Sequence, residues 1–363
     1  MKALEQYSWL NEVSSQPLQM AIQQLDDAYQ KFFKNQGGYP NFKSKHESTQ
    51  SCSFPQNVRL SRNRVYLPKF VKNGIRAKFH RELPDGASIK QATITKKNSK
   101  YYIAISFDDN MPTSKPVVAQ SSIGLDVGIN SLVATSKDVK IENPRYTDKY
   151  ARLLKLASRH LSRKQHSRKK GDNTPKSKRY LKQQAKVAKI HEKIANSRSD
   201  YIHKTTNEIT NQYDVICIED LNVKGMIKNR KLSKHIADVS WGELRRQLEY
   251  KCERKGKTLI KVDRWLPSSQ TCSSCLSPTG KKPLNVRKFT CPVCGTTHDR
   301  DINAAKNIEY FGLLAFSALG HNHNLSAGTV DYTRGEPSSG DGDSISIVAS
   351  SSYGSVKREA PAS

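Results

Sequence analysis

Four thiols in this chain stand at a spacing that chemistry can use: Cys272, Cys275, Cys291 and Cys294 form two CxxC pairs separated by fifteen residues. Two tight turns of that kind supply the tetrahedral thiolate cage of a structural zinc ion. Ser273 and Ser274 fill the first pair, Pro292 and Val293 the second. Gly295 follows where the backbone must turn back so that its amides can face the sulfurs. The same thiols could form two disulfides only in an oxidising compartment, which nothing else in the sequence supports. Cys52, Cys217 and Cys252 share no ligand spacing and read as isolated thiols.

Three acids point to a second chemistry. Asp126 lies in the apolar run SIGLDVGINSLVAT between Leu125 and Val127. A charge there is costly unless a cation compensates it or the strand is an edge facing water. DVICIEDLN repeats the arrangement, its run Val215 to Ile218 ending in Glu219 and Asp220. Asp301 follows the cysteines in His298-Asp-Arg-Asp301, at the start of a helical pattern with Ile302, Ala305 and Ile308 on one side. Two strands and a helix start, each delivering a carboxylate, are how a ribonuclease-H-like sheet gathers distant acids at one end. Asp126, Glu219 and Asp301 are therefore the catalytic candidates. Such a triad suits two divalent ions about 4 Å apart, serving the attacking water and the leaving 3′ oxygen of a cut phosphodiester. Hard oxygen ligands favour Mg2+ or Mn2+, whereas soft thiolates favour Zn2+.

The elements that must position these groups can be read in order. Pro17 to Lys34 has the periodicity of an amphipathic helix, with Leu18, Ile22, Leu25, Tyr29, Phe32 and Phe33 on one face and Gly37-Gly38 ending it. Tyr39 to His46 mixes aromatics with cations, as either a base-stacking segment or a plain surface loop would. From about Ser51 to Phe107 short alternating runs predict two hairpins of a small β-barrel or sheet. Two helices are expected between Tyr150 and Gln212, broken at Gly171 to Pro175. Ser240-Trp-Gly-Glu243 predicts a capping box for a further helix that Gly256 ends, and Thr258 to Val262 is one more strand.

Charge narrows the partners. The 363 residues hold 61 Lys and Arg against 33 Asp and Glu, a formal charge of +28 spread too widely for one solvated face. Binding to nucleic acid through phosphates, with a steep salt dependence, is the natural expectation. Arg163, Lys164, Arg168, Lys169 and Lys170 are the candidate nucleic-acid-binding cluster, against the blander reading of a solvated helical hairpin. No apolar run approaches the roughly 18 residues that span a bilayer, so no membrane partner is expected. MKALEQYSWL lacks the apolar core of a signal peptide, so a reducing cytoplasm is the expected location.

Several stretches carry a family resemblance. GLDVGINSLVATS, ICIEDLNVKGMIKNRKLSKHIADVSWGELRRQLEYK, LIKVDRWLPSSQTCSSC and FTCPVCGTTHDRDINAAKNI resemble the TnpB (OrfB) proteins of bacterial insertion sequences, as do WLNEVSSQPLQMAIQQLDDAYQKFF and GYPNFKSK. The resemblance runs through most of residues 8 to 310. It implies a RuvC nuclease domain directed to DNA by a guide RNA from the element end, similar to type V CRISPR effectors. On it Asp126, Glu219 and Asp301 take the first, second and third catalytic positions. Family members usually begin with tens of further residues, so the chain is expected to be N-terminally truncated relative to them.

The fold class expected is thus α/β: a ribonuclease-H-like RuvC domain with an inserted four-cysteine zinc ribbon, preceded by a helical segment and a small β-barrel. In residue terms, a helical segment of a recognition lobe occupies 1–49 and a β-barrel-like nucleic-acid-binding domain 50–115. The RuvC-like domain follows over 116–267, with a basic helical insertion at about 148–210. The zinc ribbon covers 268–297, the last RuvC segment 298–319 and a disordered Ser- and Gly-rich tail 320–363. The expected activity is metal-dependent, RNA-guided cleavage of DNA. The alternative is a DNA- or RNA-binding accessory, or an inactive truncated transposase, acting in transposition and recombination without cleavage. The sequence leaves oligomeric state open.

Overall fold

The computed structural model describes residues 5–42, 49–70, 72–98, 100–110, 118–164, 176–229, 233–283 and 285–318. It divides into two units, residues 1–112 and 113–363. The expected tail, and Arg168, Lys169 and Lys170 of the basic cluster, lie outside the described residues.

In the first unit α1 (Ser15–Phe33) forms one residue or two away from the expected bounds, and none of its residues is buried. The strands that follow are β1 (Thr49–Phe54), β2 (Arg59–Ser61), β3 (Arg64–Tyr66), β4 (Ile75–Arg76), β5 (Ser88–Lys97) and β6 (Lys100–Asp108). They make two three-stranded sheets, in the orders β1-β5-β6 and β2-β3-β4. Phe54, Val65, Leu67 and Ala92 are the buried centre of one shared core, drawn from alternate positions of both sheets.

The second unit is α/β. Its strands and helices are β7 (Ser122–Val127), β8 (Ser131–Thr135), β9 (Lys140–Glu142), α2 (Tyr146–Lys149), α3 (Ala151–Ser162), α4 (Lys178–Gln212), β10 (Val215–Glu219), α5 (Val223–Ile227), α6 (Ser233–Val239), α7 (Trp241–Lys255), β11 (Thr258–Val262), β12 (Lys288–Thr290), β13 (Thr297–Asp299) and α8 (Arg300–Ala318). Five strands form one sheet in the order β11-β10-β7-β8-β9. β7, β10 and β11 run parallel, while β8 and β9 extend the sheet as an antiparallel meander.

The two faces of this sheet can be read from the alternation along β10. Ile216 and Ile218 belong to a core with Ile202 and Ile209 of α4 and Leu244 and Leu248 of α7. Val215 and Cys217 belong to a second core with Ile308 and Phe316 of α8. Strands covered on both faces need near-continuous apolar runs, which is why Val215 to Ile218 carries no polar residue. Each such fully buried aliphatic side chain contributes about 2 kcal/mol by transfer from water.

Helix α8 sits against the sheet because two glycines let it. A Cβ on Gly124 of β7 would overlap the Ala305 carbonyl and crowd Glu309, and one on Gly312 of α8 would overlap the Cys217 sulfur. Ser122 on the same strand donates to Glu309 at 2.6 Å. The capping box expected at Ser240 does not form: Ser240 is left-handed (φ 58), and no side-chain cap bond is made. Helix α6 ends directly at this residue, so its hydroxyl donates to the Ala237 carbonyl at 2.9 Å. Glu243 instead accepts from Arg246 and Gln247. At the other end Gly256 closes α7 in the left-handed conformation (φ 66), as expected.

Candidate active site

Parallel pairing places Ile218 opposite Leu125, so the next residues, Glu219 and Asp126, come level at the carboxyl ends of β10 and β7. Asp301 arrives from the other direction, in the first turn of α8, where the positive end of the helix dipole favours an acid. Asp299 holds that end in place by accepting the Asp301 amide at 3.1 Å and the Ile302 amide at 3.2 Å. Burial pushes the Asp126 carboxyl well above its usual range, and the negative charges of Glu219 and Asp301 push it further, against a weaker pull from Arg300 and Lys140. Asp126 therefore feels both of the other acids. Burial also raises Glu219, and the Ser268 hydroxyl, donating to its Oε1 at 2.7 Å, holds it back.

Cations of the chain neutralise only part of this charge. Lys140 Nζ lies 2.7 Å from Asp299 and 3.2 Å from Asp301, and Arg287 lies 3.7 Å from Asp301. Partial burial works against a charged Lys140, but its bonds to Asp299 and Asp301 outweigh it and raise the ammonium above its ordinary value. Carboxylate oxygens are the donors hard divalent cations take, so the chemistry of the set suits such ions, while the three acids stand farther apart than the four sulfurs do.

Around the cysteines the geometry is of another kind. Their four sulfurs lie within 4.8 Å of one another, the only such group of three or more metal-ligating side chains among the described residues. Cys272 and Cys294 are 3.7 Å apart and Cys275 and Cys291 3.6 Å. Four sulfurs about 2.3 Å from one zinc ion would stand about 3.8 Å apart, so the donor set fits. Each turn closes the same way: the Leu276 amide reaches the Cys272 carbonyl at 2.9 Å and the Gly295 amide the Cys291 carbonyl at 3.0 Å. Leu276 (φ 59) and Gly295 (φ 70) occupy equivalent left-handed positions. Hydrogen bonding to Thr296 lowers the Cys294 thiol to about 6, while burial pushes Cys272 up to about 12. His298 Nε2 lies 3.1 Å from the Cys272 sulfur.

Comparison with known proteins places these two centres in a lineage. A family model described as "Probable transposase" matches residues 103–230, and one described as "Cas12f1-like, TNB domain" matches residues 241–308. A "Putative RNA-guided DNA endonuclease" of Streptomyces pristinaespiralis is 37% identical over 320 residues, covering 88% of this chain and 76% of that protein. The chain belongs to the TnpB family. The "Putative RNA-guided DNA endonuclease InsQ" of Escherichia coli K12 is 31% identical, over 83% of this TnpB chain and 75% of its own length. A "TnpB-like protein L79" of Acanthamoeba polyphaga mimivirus is 34% identical over 38% of the chain and 27% of its own. Among solved structures, a Cas12f1–sgRNA–target DNA complex aligns with TM-score 0.49 and 16% identity, over 77% of this chain and 67% of that one.

Within this TnpB chain, then, the structure brings Asp126, Glu219 and Asp301 into one electrostatic neighbourhood and the four cysteines into one cage. Arg163 and Lys164 are exposed at the end of α3. Several supporting residues have no sequence motif of their own. Asn303 and Asn307, buried on α8, both donate to the Ser268 and Thr271 carbonyls, and Asn303 also accepts the Ser273 amide at 2.8 Å. They tie the segment carrying Ser268, and hence Glu219, to the root of the first cysteine turn. They lie on the opposite side of the helix from Ile302, Ala305 and Ile308, so no local hydrophobic pattern marks them. Among the described residues no helix is long and apolar enough to cross a membrane.

Proposed function

We propose that this chain cuts DNA under the direction of a guide RNA from its own mobile element, through a RuvC-type centre made by Asp126, Glu219 and Asp301. The observation that carries the reading is the level placement of Asp126 and Glu219 on adjacent parallel strands, with Asp301 close enough to raise Asp126. An antiparallel meander continued by two parallel strands, with acids at the strand ends, is the arrangement a ribonuclease-H-like nuclease needs. Divalent ions, Mg2+ or Mn2+, held there would supply water activation and neutralise the leaving oxygen. The chain's own part is to hold three oxygens on rigid elements. Ser268 orients Glu219, Asp299 fixes the start of α8, and Lys140 and Arg287 share the charge of Asp301.

Cys272, Cys275, Cys291 and Cys294 act in this reading as a structural zinc site. It lies in the chain between the second carboxylate and the third, so folding of the ribbon sets where α8 begins. Arg163, Lys164, Arg168, Lys169 and Lys170 serve as phosphate contacts. Their removal should lower affinity for RNA and flatten its salt dependence, and an affinity indifferent to salt would rule the cluster out.

The test begins with sequencing the RNA that copurifies with the protein and programming it against a matched DNA target. Replacing Asp126, Glu219 or Asp301 by Ala should each reduce magnesium-dependent cleavage by more than about a thousand-fold, without additivity, while target binding persists. If the parent protein binds guide and target yet cuts in neither magnesium nor manganese, the nuclease reading gives way to binding without cleavage.

A further inference from the structure

The two tryptophans with described side chains are treated in opposite ways. Trp241 is buried in the core between β7 and α7, with its ring nitrogen donating to the Gly128 carbonyl at 3.4 Å. Trp265 is 78% exposed. Single exposed apolar side chains are common and need no explanation by themselves. Trp265 differs in where it stands and how firmly its backbone is held.

It is the middle residue of the turn 263–267, and both ends of that turn are fastened to Glu219 or its neighbour. Val262 pairs with Glu219 across the sheet and its carbonyl accepts the Asp220 amide at 3.0 Å. Ser268, on the far side, donates to Glu219 itself. Three residues of fully extended chain reach about 10 Å, so Trp265 cannot stray further than that from either anchor. The turn is also set internally. Asp263 accepts the Trp265 amide at 2.6 Å, and the Leu266 amide bonds to the Asp263 carbonyl at 3.2 Å. Arg264 is held to Asp220 at 2.6 Å, and Leu266 packs into the core beneath α8. An indole on a turn fastened at both ends to Glu219 and its neighbour is thus presented to solvent, with an arginine next to it in the chain.

We infer that Trp265 is a base-stacking residue for single-stranded DNA, holding the nucleotide that flanks the phosphate brought to Glu219. An aromatic face accepts any base, which suits an enzyme whose sequence choice is made elsewhere, and the adjacent guanidinium suits the polyanionic backbone. A base held on the indole fixes the strand one or two nucleotides from the cut, limiting the freedom of the reacting phosphate. The placement beside a scissile phosphate rests on the nuclease reading above. The stacking itself does not.

The experiment separates the two. The full chain, in buffer free of magnesium and manganese so that no cleavage occurs, is titrated with a short oligothymidylate and with an abasic strand of equal length and charge, following tryptophan emission and affinity. The oligothymidylate should quench the parent's emission and the abasic strand should not. Trp265→Phe should lose that quench and bind within about threefold of the parent, whereas Trp265→Ala should bind about tenfold more weakly. In the guided complex with magnesium, Trp265→Ala should lower cleavage and Trp265→Phe should restore it. Stacking is overturned if Trp265→Ala binds oligothymidylate as tightly as the parent, or if the abasic strand binds equally well. If the titration without magnesium behaves as stated but the parent never cuts with it, the nuclease reading fails and stacking stands. If Trp265→Ala loses stacking yet cuts at the parental rate, the placement at the scissile phosphate is overturned.

Discussion

The cysteine cage and the carboxylate centre are both sets of metal-ligating side chains, yet they are assembled by opposite means. The four sulfurs are gathered by two turns of one short segment, each closed by its own backbone hydrogen bonds. The three carboxylates come from two strands and a helix, and two of them are engaged by partners from elsewhere in the chain: Ser268 on Glu219, and Lys140 and Arg287 on Asp301. Local turns make a set of donors that collapses onto a single ion. Long-range packing makes a set that is held in place against its own repulsion. A set of the first kind needs an ion to hold its sulfurs together; a set of the second kind needs the fold to exist.

The sharpest way to break this contrast is to remove one ligand from each. Cys291→Ser should take bound zinc from about one per chain to near zero and expose the ribbon to protease, because zinc affinity of about 10–16 kcal/mol in small ribbons is folding energy. Asp126→Ala should leave the zinc content at one. Loss of zinc in the aspartate variant, measured by metal analysis after dialysis, would show that the two centres are not independent.

Packing is the next lever. Gly124→Ala puts a methyl group against the backbone of α8, where neither the strand nor the helix has a flexible side chain to yield. A cost of about 3 kcal/mol is expected, with a lower Tm. Zinc should be retained while cleavage falls, since α8 carries Asp301. A variant as stable and as active as the parent would mean that the helix does not rest where it is described.

Repulsion can be tested without any assay of cutting. The raised Asp126 carboxyl is penalised when ionised, so its contribution to stability is present below the usual aspartate range near pH 4 and is lost as pH rises through its higher folded value. In metal-free buffer Asp126→Asn should therefore melt higher than the parent at neutral pH, by about 1 kcal/mol or more. The two should converge as pH falls toward 4. Magnesium should narrow the gap at neutral pH by stabilising the parent alone. An asparagine variant that melts lower than the parent at neutral pH, without metal, would contradict the electrostatic account.

The smallest effect belongs to the cage. Leu276 occupies the left-handed position that Gly295 occupies in the other turn, at a cost of roughly 1 kcal/mol for a residue with a Cβ. Leu276→Gly should raise the denaturation midpoint of the zinc-loaded protein by a fraction of that, and a lowered midpoint would show that the leucine side chain contributes more by packing than the backbone loses.

The same contrast explains what the sequence could and could not say. Cysteine spacing is visible because a local turn leaves its whole geometry in a few consecutive residues, down to Gly295. Asp126 and Glu219 were visible because an acid at the end of an apolar run is conspicuous. Their supporters were not: Lys140, Ser268, Asp299, Asn303 and Asn307 acquire meaning only when α8 lies on the sheet, and no local pattern encodes that docking. The expected capping box at Ser240 failed for the converse reason, since a motif that fits locally was overruled by the helix ending just before it. The β-rich part of the first unit was legible as hairpins, while its division into two sheets depends on pairing β1 with β5, across some forty residues.

The joining of Ser122 to Glu309 spans 187 positions of the chain. At roughly 5–20 residues per second of synthesis, the strand bearing Asp126 leaves the ribosome some ten to forty seconds before the helix bearing Asp301. Through that interval the nascent protein holds first Asp126 alone and then Asp126 with Glu219, but no third acid. A centre of three acids can therefore form only once the helix bearing Asp301 has followed the sheet out of the ribosome.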